Sequence, residues 1–100
     1  MSAPQISRLD ANHFAVEGEL NLMTVPTLLQ AMIDQLPANG SEAHVDLAGV
    51  IRTDSAGLAL LVEWLRQARV RDIHLQFHNL PSQLRDIALI SDLLPILPLD

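Results

Sequence analysis

The sequence predicts an α/β fold, a small mixed β-sheet with helices packed mainly on one face. Short runs in which apolar and polar residues alternate recur along the chain and indicate strands. Stretches with apolar residues at helical spacing lie between the later runs and indicate helices. About 25 residues separate successive later strands, a length typical of the crossover that joins parallel strands. With 100 residues, the chain is expected to form one domain over residues 1–100.

The first elements are a hairpin and a helix. Residues 6–9 and 13–17 are short alternating runs, and Asn12 between them favours a turn. Apolar residues at helical spacing over residues 25–36 then predict a first helix, with Thr24 as its N-cap. The predicted order therefore begins β-β-α.

The rest of the chain alternates strands with helices. Residues 43–48 are apolar enough for a central strand, and a helix is predicted over residues 55–69. Residues 73–78 alternate without a break and form the last strand, after which Pro81 starts a third helix. The apolar tail, residues 93–99, either folds back on the domain or binds a groove on a partner, and the sequence leaves both open.

Composition excludes several classes of protein. Apolar residues make up 49% of the chain and charged residues 18%, which is too apolar for a disordered chain and hints at a partner surface. The net charge of −6 argues against nucleic-acid binding, and the absence of cysteine fits a reducing compartment. We see no signal peptide and no apolar run of the ~18 residues that a membrane span needs. We therefore expect a cytoplasmic protein without direct membrane insertion.

The motif most relevant to function is Thr-Asp-Ser-Ala-Gly-Leu at residues 53–58, where a strand gives way to the second helix. The first turn of a helix presents unpaired N–H groups and the positive end of the helix dipole. Ser55 there could cap the helix, accept a phosphate or contact a partner. Thr53 and Asp54 are alternative caps, so capping and docking both remain open for this turn.

Further along the second helix, Gly57, Leu60 and Trp64 form a stripe beside the predicted core stripe. Gly57 is either a helix defect or a smooth approach for a partner. Trp64 either closes the edge of the core or, with Leu60, forms an exposed apolar ridge that anchors an interface. The predicted partner-binding residues are Thr53, Asp54, Ser55, Gly57, Leu60 and Trp64.

Metal binding and catalysis are not predicted. His74 and His78 are four residues apart on a strand, which separates them by about 13 Å, too far to share one ion. The sequence has no glycine-rich phosphate loop, no paired carboxylates in a recognisable cleft and no base that can be assigned to Ser55. We therefore expect no enzyme activity, no metal and no cofactor.

The chain resembles the STAS domain family, which includes the anti-sigma factor antagonists. The resemblance is carried by the strand at residues 45–47 and the Asp-Ser-Ala-Gly-Leu signature at residues 54–58, within the predicted β-β-α-β-α-β-α order. Within the family, the chain is most similar to the MlaB group of STAS subunits of phospholipid-trafficking ABC transporters. Residues 16–20 and 54–61 and the Leu-Pro pairs in the tail carry that likeness.

The MlaB resemblance implies a non-enzymatic subunit that binds and regulates the MlaF-like ATPase of an ABC transporter. That complex would include permease and lipid-binding subunits and would maintain the lipid asymmetry of the outer membrane. Docking through Ser55 would hold this chain at the inner face of the inner membrane. The MlaB group often carries Thr at this position, whereas kinase-regulated antagonists carry Ser. The alternative is therefore an anti-sigma factor antagonist whose partner, an anti-sigma factor kinase, phosphorylates Ser55.

Overall fold

The computed structural model describes residues 4–99 and contains the predicted order of strands and helices. A short 3-10 helix, Leu94–Ile96, lies in the tail. The elements are β1 (Gln5–Arg8), β2 (His13–Leu20), α1 (Val25–Ile33), β3 (Glu42–Thr53), α2 (Ser55–Val70), β4 (His74–His78) and α3 (Ser82–Ile90).

The four strands form one mixed sheet in the order β1-β2-β3-β4. β1 pairs antiparallel with β2, as a hairpin requires, while β3 is parallel to both β2 and β4. The predicted parallel arrangement of the later strands is confirmed. Because parallel strands end at the same edge of a sheet, the starts of α1, α2 and α3 lie along one edge of the molecule.

Alternation along the strands separates a covered face of the sheet from an uncovered one. Every second residue of β2, from Phe14 to Leu20, is buried, and the residues between them are half-buried or exposed. β3 follows the same alternation over its first half, and β4 over its whole length. The helices supply the other half of the core through buried residues that include Leu28, Met32, Leu58, Leu61, Leu65, Leu84 and Ala88.

α2 is the most deeply buried helix because α1 and α3 both pack against it. Leu60 and Trp64 are each only 1% exposed and belong to the core. The prediction that they form an exposed apolar ridge is therefore wrong. The sheet and the helices α1 and α3 all pack against α2, and periodicity within a single helix cannot reveal how many neighbours that helix has.

Three element boundaries differ from the predictions by three residues or more. β2 continues to Leu20, beyond the predicted limit at residue 17. β3 continues to Thr53, beyond the predicted residues 43–48, because its second half keeps pairing with β2 as far as Leu20. α1 ends at Ile33, before the predicted limit at residue 36. Thr24 does occupy the N-cap position, but its hydroxyl donates to the carbonyl oxygen of Glu19 at 2.8 Å and does not cap the helix.

The apolar tail folds back on the domain, which decides between the two alternatives left by the sequence. Leu97 is buried in the core, and the Phe77 amide donates to the carbonyl oxygen of Pro98 at 2.9 Å. Phe77 and Leu99 form an isolated parallel bridge, so the tail covers part of the outer edge of β4. Within residues 4–99, no helix is long and apolar enough to cross a membrane.

Candidate docking site at the start of the second helix

The start of α2 is held against the end of β2. Thr53, the last residue of β3, pairs with Leu20, the last residue of β2. The amide of Asp54 then donates to the carbonyl oxygen of Leu20 at 3.1 Å. The first turn of α2 therefore lies beside the turn that connects β2 to α1.

Asp54 is the cap of α2. Its backbone is extended, and its carboxylate accepts a hydrogen bond from the Ala56 amide at 2.8 Å. The Gly57 amide donates to the carbonyl oxygen of Asp54 at 3.0 Å. Ser55 therefore does not cap the helix. Its side chain is exposed, and no group within residues 4–99 is hydrogen-bonded to its hydroxyl. The hydroxyl is available to a partner or to a modifying enzyme.

Thr53 and Gly57, by contrast, lie beneath the surface. The Thr53 side chain is buried, its hydroxyl donates to the carbonyl oxygen of Asp54 at 3.1 Å, and its amide donates to Oε1 of Gln83 at 3.1 Å. A Cβ added at Gly57 would overlap the Thr53 hydroxyl oxygen and come within 3.1 Å of the Leu20 Cβ. Gly57 is therefore needed for α2 to approach β2 and β3 closely, and the interpretation that it offers a smooth approach to a partner is wrong.

The six residues predicted to bind a partner thus divide by depth. Asp54 and Ser55 face solvent, while the other four, Thr53, Gly57, Leu60 and Trp64, are buried. Within residues 4–99, the Trp64 indole N–H has no hydrogen-bond partner, so its burial is not explained by a polar contact. Trp64 cannot anchor an interface directly while the core is intact.

Sequence patterns did not predict three exposed apolar residues on the segments that adjoin the start of α2. Leu22 and Met23, in the β2–α1 turn, are 81% and 86% exposed, and Ile51 near the end of β3 is 70% exposed. The turn is held by Asn21, whose side-chain oxygen accepts from the Met23 amide at 2.8 Å. The sequence signal that could have predicted this exposure is the pair of apolar residues, Leu22 and Met23, within an otherwise polar turn. The residues Leu22, Met23, Ile51, Asp54 and Ser55 are called the docking surface below.

A second group of polar residues lies on the uncovered face of the sheet. Nδ1 of His44 and Nε2 of His78 are 2.9 Å apart, so one ring donates a hydrogen bond to the other. The His13 ring stacks on the His44 ring, with centroids 4.8 Å apart. Spacing along the sequence does not reveal this row, because the rings of His13, His44 and His78 come from three different strands that pair side by side.

Carboxylates accompany the histidine row. The pKa of Asp46 is lowered mainly because its carboxylate accepts a hydrogen bond from the Asn79 side chain, and also one from the Ala48 amide. The pKa of Asp10 is lowered by the Asn12 amide and then by His13, whose Nδ1 donates to the Asp10 carboxylate at 2.8 Å. Within the described residues, no group of three or more potential ligands is arranged to hold a metal ion.

Comparison with known proteins identifies the class of domain. A family model described as "Mlab, STAS domain" matches residues 7–98. The anti-sigma-B factor antagonist of Staphylococcus epidermidis is 31% identical over 94 residues, which cover 91% of this chain and 87% of that protein. The chain belongs to the STAS domain family and is related to the anti-sigma factor antagonists.

Solved structures agree with this fold. The anti-sigma factor antagonist SpoIIAA in its unphosphorylated form superposes with a TM-score of 0.71 at 17% identity, covering 98% of this chain and 88% of that one. A STAS domain protein from Planctomyces limnophilus gives a TM-score of 0.71 at 11% identity and covers 96% and 87% of the two chains. At these identities the likeness concerns the fold alone.

Proposed function

We propose that this protein is a non-enzymatic regulatory subunit that binds the ATPase of a phospholipid-transporting ABC complex through its docking surface. The observation that carries the proposal is the Ser55 hydroxyl, which is exposed and without a hydrogen bond at the start of a helix already capped by Asp54. The description of the matching family model supports the choice of an Mla-type complex.

The docking surface has the chemical character of a small interface. Leu22, Met23 and Ile51 supply apolar area, and apolar side chains including Met are typical of the buried centre of an interface. Asp54 and Ser55 supply polar groups at fixed positions, since the helix start is tied to β2 and β3. Binding there loses little conformational freedom because the backbone of this region is already ordered by those hydrogen bonds.

Regulation would follow from differential binding. A bound subunit changes ATPase activity only if it binds one conformational or assembly state of the ATPase more tightly than another. In this proposal ATP belongs to the ATPase, and the permease and lipid-binding subunits complete the complex. The chain works in the cytoplasm, at the inner face of the inner membrane through its partner, and the complex maintains outer-membrane lipid asymmetry.

A second candidate is an anti-sigma factor antagonist controlled by phosphorylation of Ser55. The 31% identity to the Staphylococcus epidermidis antagonist supports it, as does the accessibility of the hydroxyl. A phosphate on Ser55 would lie near the positive end of the α2 dipole but beside the Asp54 carboxylate. The added charge would change the docking surface, and an anti-sigma factor kinase would be both partner and modifying enzyme.

The test is reconstitution of the full chain with each candidate partner from its own genome, the ABC ATPase and the anti-sigma factor kinase. Ser55→Arg introduces a long cation into the docking surface and should lower the affinity for the true partner by at least about 100-fold, as expected for a disrupted interface centre. Ser91→Arg is the matched control. Ser91 is an exposed serine at the C-terminal end of α3, away from the edge where the helices start, so this substitution should leave affinity unchanged.

The two arms separate the candidates. Tight ATPase binding that Ser55→Arg abolishes supports the transporter role, and equal binding by both variants contradicts docking through this surface. Binding to the kinase, together with an ATP-dependent mass increase that Ser55→Ala removes, supports the antagonist role instead. Circular dichroism of each variant checks that the fold is intact.

A further inference from the structure

β3 extends well past its neighbour β4 at the end that leads into α2. β4 pairs with β3 only as far as Asp46, whereas β2 pairs with β3 as far as Thr53. Within residues 4–99, residues 48–52 therefore have a neighbouring strand on one side only, and they are called the β3 overhang below. We propose that an extended segment of the chain's protein partner pairs with the β3 overhang and adds a strand to the sheet.

The edges of the sheet within residues 4–99 differ in how they are protected. The outer edge of β4 is covered in part by the tail, through the bridge between Phe77 and Leu99. β1, at the opposite edge, is a short strand of sequence Gln-Ile-Ser-Arg, and short polar or charged edges discourage pairing. The β3 overhang reads Ala-Gly-Val-Ile-Arg, so it is apolar up to its last residue. It is the edge best suited to pairing with another chain.

The β3 overhang is also exposed on both faces. The alternation of buried and exposed residues along β3 stops after Leu47, and Ala48, Gly49, Ile51 and Arg52 are all exposed. The backbone N–H and C=O groups along an open edge are the groups that an extended chain needs as hydrogen-bond partners. This backbone pattern selects an extended segment as the occupant, because a helix has already used its own N–H and C=O groups.

Side chains take the place of a neighbouring strand at both ends of this open edge. The Ala48 amide donates to a carboxylate oxygen of Asp46 at 2.9 Å, and the Thr53 amide donates to Oε1 of Gln83 at 3.1 Å. Between these ends, no side chain within residues 4–99 is hydrogen-bonded to the backbone of residues 49–52. A short strand of about four to six residues is long enough to pair there.

A bulge in β3 turns Ile51 outward at the middle of the overhang. The pairing of β2 with β3 shifts between Gly18 and Glu19, where β3 advances by two residues and β2 by one. Ile51 is therefore the extra residue of a β-bulge, and its side chain is 70% exposed. Because Ile51 also belongs to the docking surface, the inference rests on the proposed function. The partner that covers the docking surface would add the strand.

Arg52 indicates the charge of the added segment. It is exposed and forms no ion pair within residues 4–99. Glu19, which lies opposite Arg52 on β2, instead accepts a hydrogen bond from the Asn21 side chain at 3.4 Å. A carboxylate on the added segment would pair with the Arg52 guanidinium and fix the register of the new strand. The expected segment is therefore extended, apolar near Ile51 and acidic near Arg52.

A peptide that requires no identified partner tests the edge itself. The acetylated and amidated peptide Thr-Val-Glu-Val-Thr is titrated into the full chain, and the backbone amides are followed by NMR. Chemical shifts should change and amide exchange should slow at residues 49–52, and residues 5–8 of the polar β1 edge should be unaffected. The matched control is the same peptide with its central amide N-methylated, which keeps the side chains and loses one backbone donor. It should bind at least about tenfold more weakly.

Arg52→Gln tests the charge of the segment. It removes the guanidinium and keeps a polar side chain, so the peptide should bind about twofold to fivefold more weakly, as expected for one exposed ion pair. Equal binding of the peptide and its N-methylated form would overturn the inference. Shifts centred on residues 5–8, or no shift at residues 49–52 up to millimolar peptide, would overturn it as well.

Hydrogen exchange of the full chain in complex with the reconstituted ATPase separates this inference from the proposed function. Slower exchange is expected at residues 49–52 together with the docking surface. If the ATPase protects the docking surface while residues 49–50 exchange as in the free chain, docking is supported and strand addition is wrong. If the ATPase does not bind, the proposed transporter role is contradicted, and the peptide titration alone decides whether the edge accepts a strand.

Discussion

On the inner side of the first turn of α2, Thr53 is 6% exposed and Gly57 has no room for a Cβ. On the outer side of the same turn, Asp54 and Ser55 face solvent, and only Asp54 uses its side chain to support the helix. Residues that are adjacent in one short motif therefore have different physical roles. The inner residues let α2 sit close to the sheet, and the outer residues are those that a partner can reach.

The inner side continues along α2 through Leu60 and Trp64, whereas the outer side continues across the edge of the sheet to Leu22 and Met23. A binding surface at this edge would therefore be built from several segments of the chain rather than from one helix. Substitutions on the inner side should therefore change stability, and substitutions on the outer side should change binding.

Trp64→Ala should lower the free energy of unfolding by about 3–5 kcal/mol, because it removes a large side chain from the core. Trp64→Phe should cost much less, since it keeps an aromatic ring and removes the indole N–H that has no partner within residues 4–99. Urea unfolding followed by circular dichroism measures both. A decrease in unfolding free energy below about 1 kcal/mol for Trp64→Ala would indicate that Trp64 is exposed on the outer side and contradict its place in the core.

Gly57→Ala should destabilise the protein by about 1–3 kcal/mol, because the new Cβ overlaps the Thr53 hydroxyl oxygen. Thr53→Ala removes that oxygen, so the double variant should be more stable than the sum of the two single effects predicts. A coupling of about 0.5–3 kcal/mol in the four-variant cycle is expected for groups in contact. Strict additivity would contradict the close contact between these two residues.

Asp54→Ala should cost about 1 kcal/mol of stability through loss of the N-cap. Ser55→Ala is its neighbouring control and should change stability by less than about 0.5 kcal/mol, because the Ser55 hydroxyl makes no hydrogen bond within residues 4–99. Thermal and urea unfolding of the pair measure the difference. A larger cost for Ser55→Ala than for Asp54→Ala would assign the cap to Ser55.

The smallest effect is expected on the uncovered face, which belongs to neither side of the α2 turn. The folded-state pKa of Asp46 is lowered, so its carboxylate contributes stability that is present above its unfolded pKa and is lost as pH falls through the folded value. The contribution should be well under about 1 kcal/mol because the group is partly exposed. Unfolding free energies measured from neutral to acidic pH should fall less for Asp46→Asn than for the unmodified chain.

Much of the fold could be predicted from local sequence. The alternation of apolar and polar residues predicted the strands, and the crossover lengths predicted that the later strands are parallel. Both the alternation and the lengths can be read directly along the chain. The burial of Leu60 and Trp64 could not be predicted in this way, since it depends on how α2 packs against the rest of the fold, including α1 and α3.

The candidate site was predicted only in part for the same reason. The motif drew attention to Asp54 and Ser55, but the contribution of Leu22 and Met23 depends on β2 ending beside β3. The histidine row likewise depends on register between strands. His44 and His78 are 34 residues apart in sequence and meet only because β3 and β4 are paired.

Hydrogen exchange of the full chain, measured with and without its reconstituted partner, tests whether a partner binds the outer side of the α2 turn. Binding should increase amide protection at residues 21–24 and 51–56, on that outer side, and leave the core amides around Trp64 unchanged. Protection confined to the uncovered face of the sheet or to the end of α3, with residues 51–56 unaffected, would contradict it.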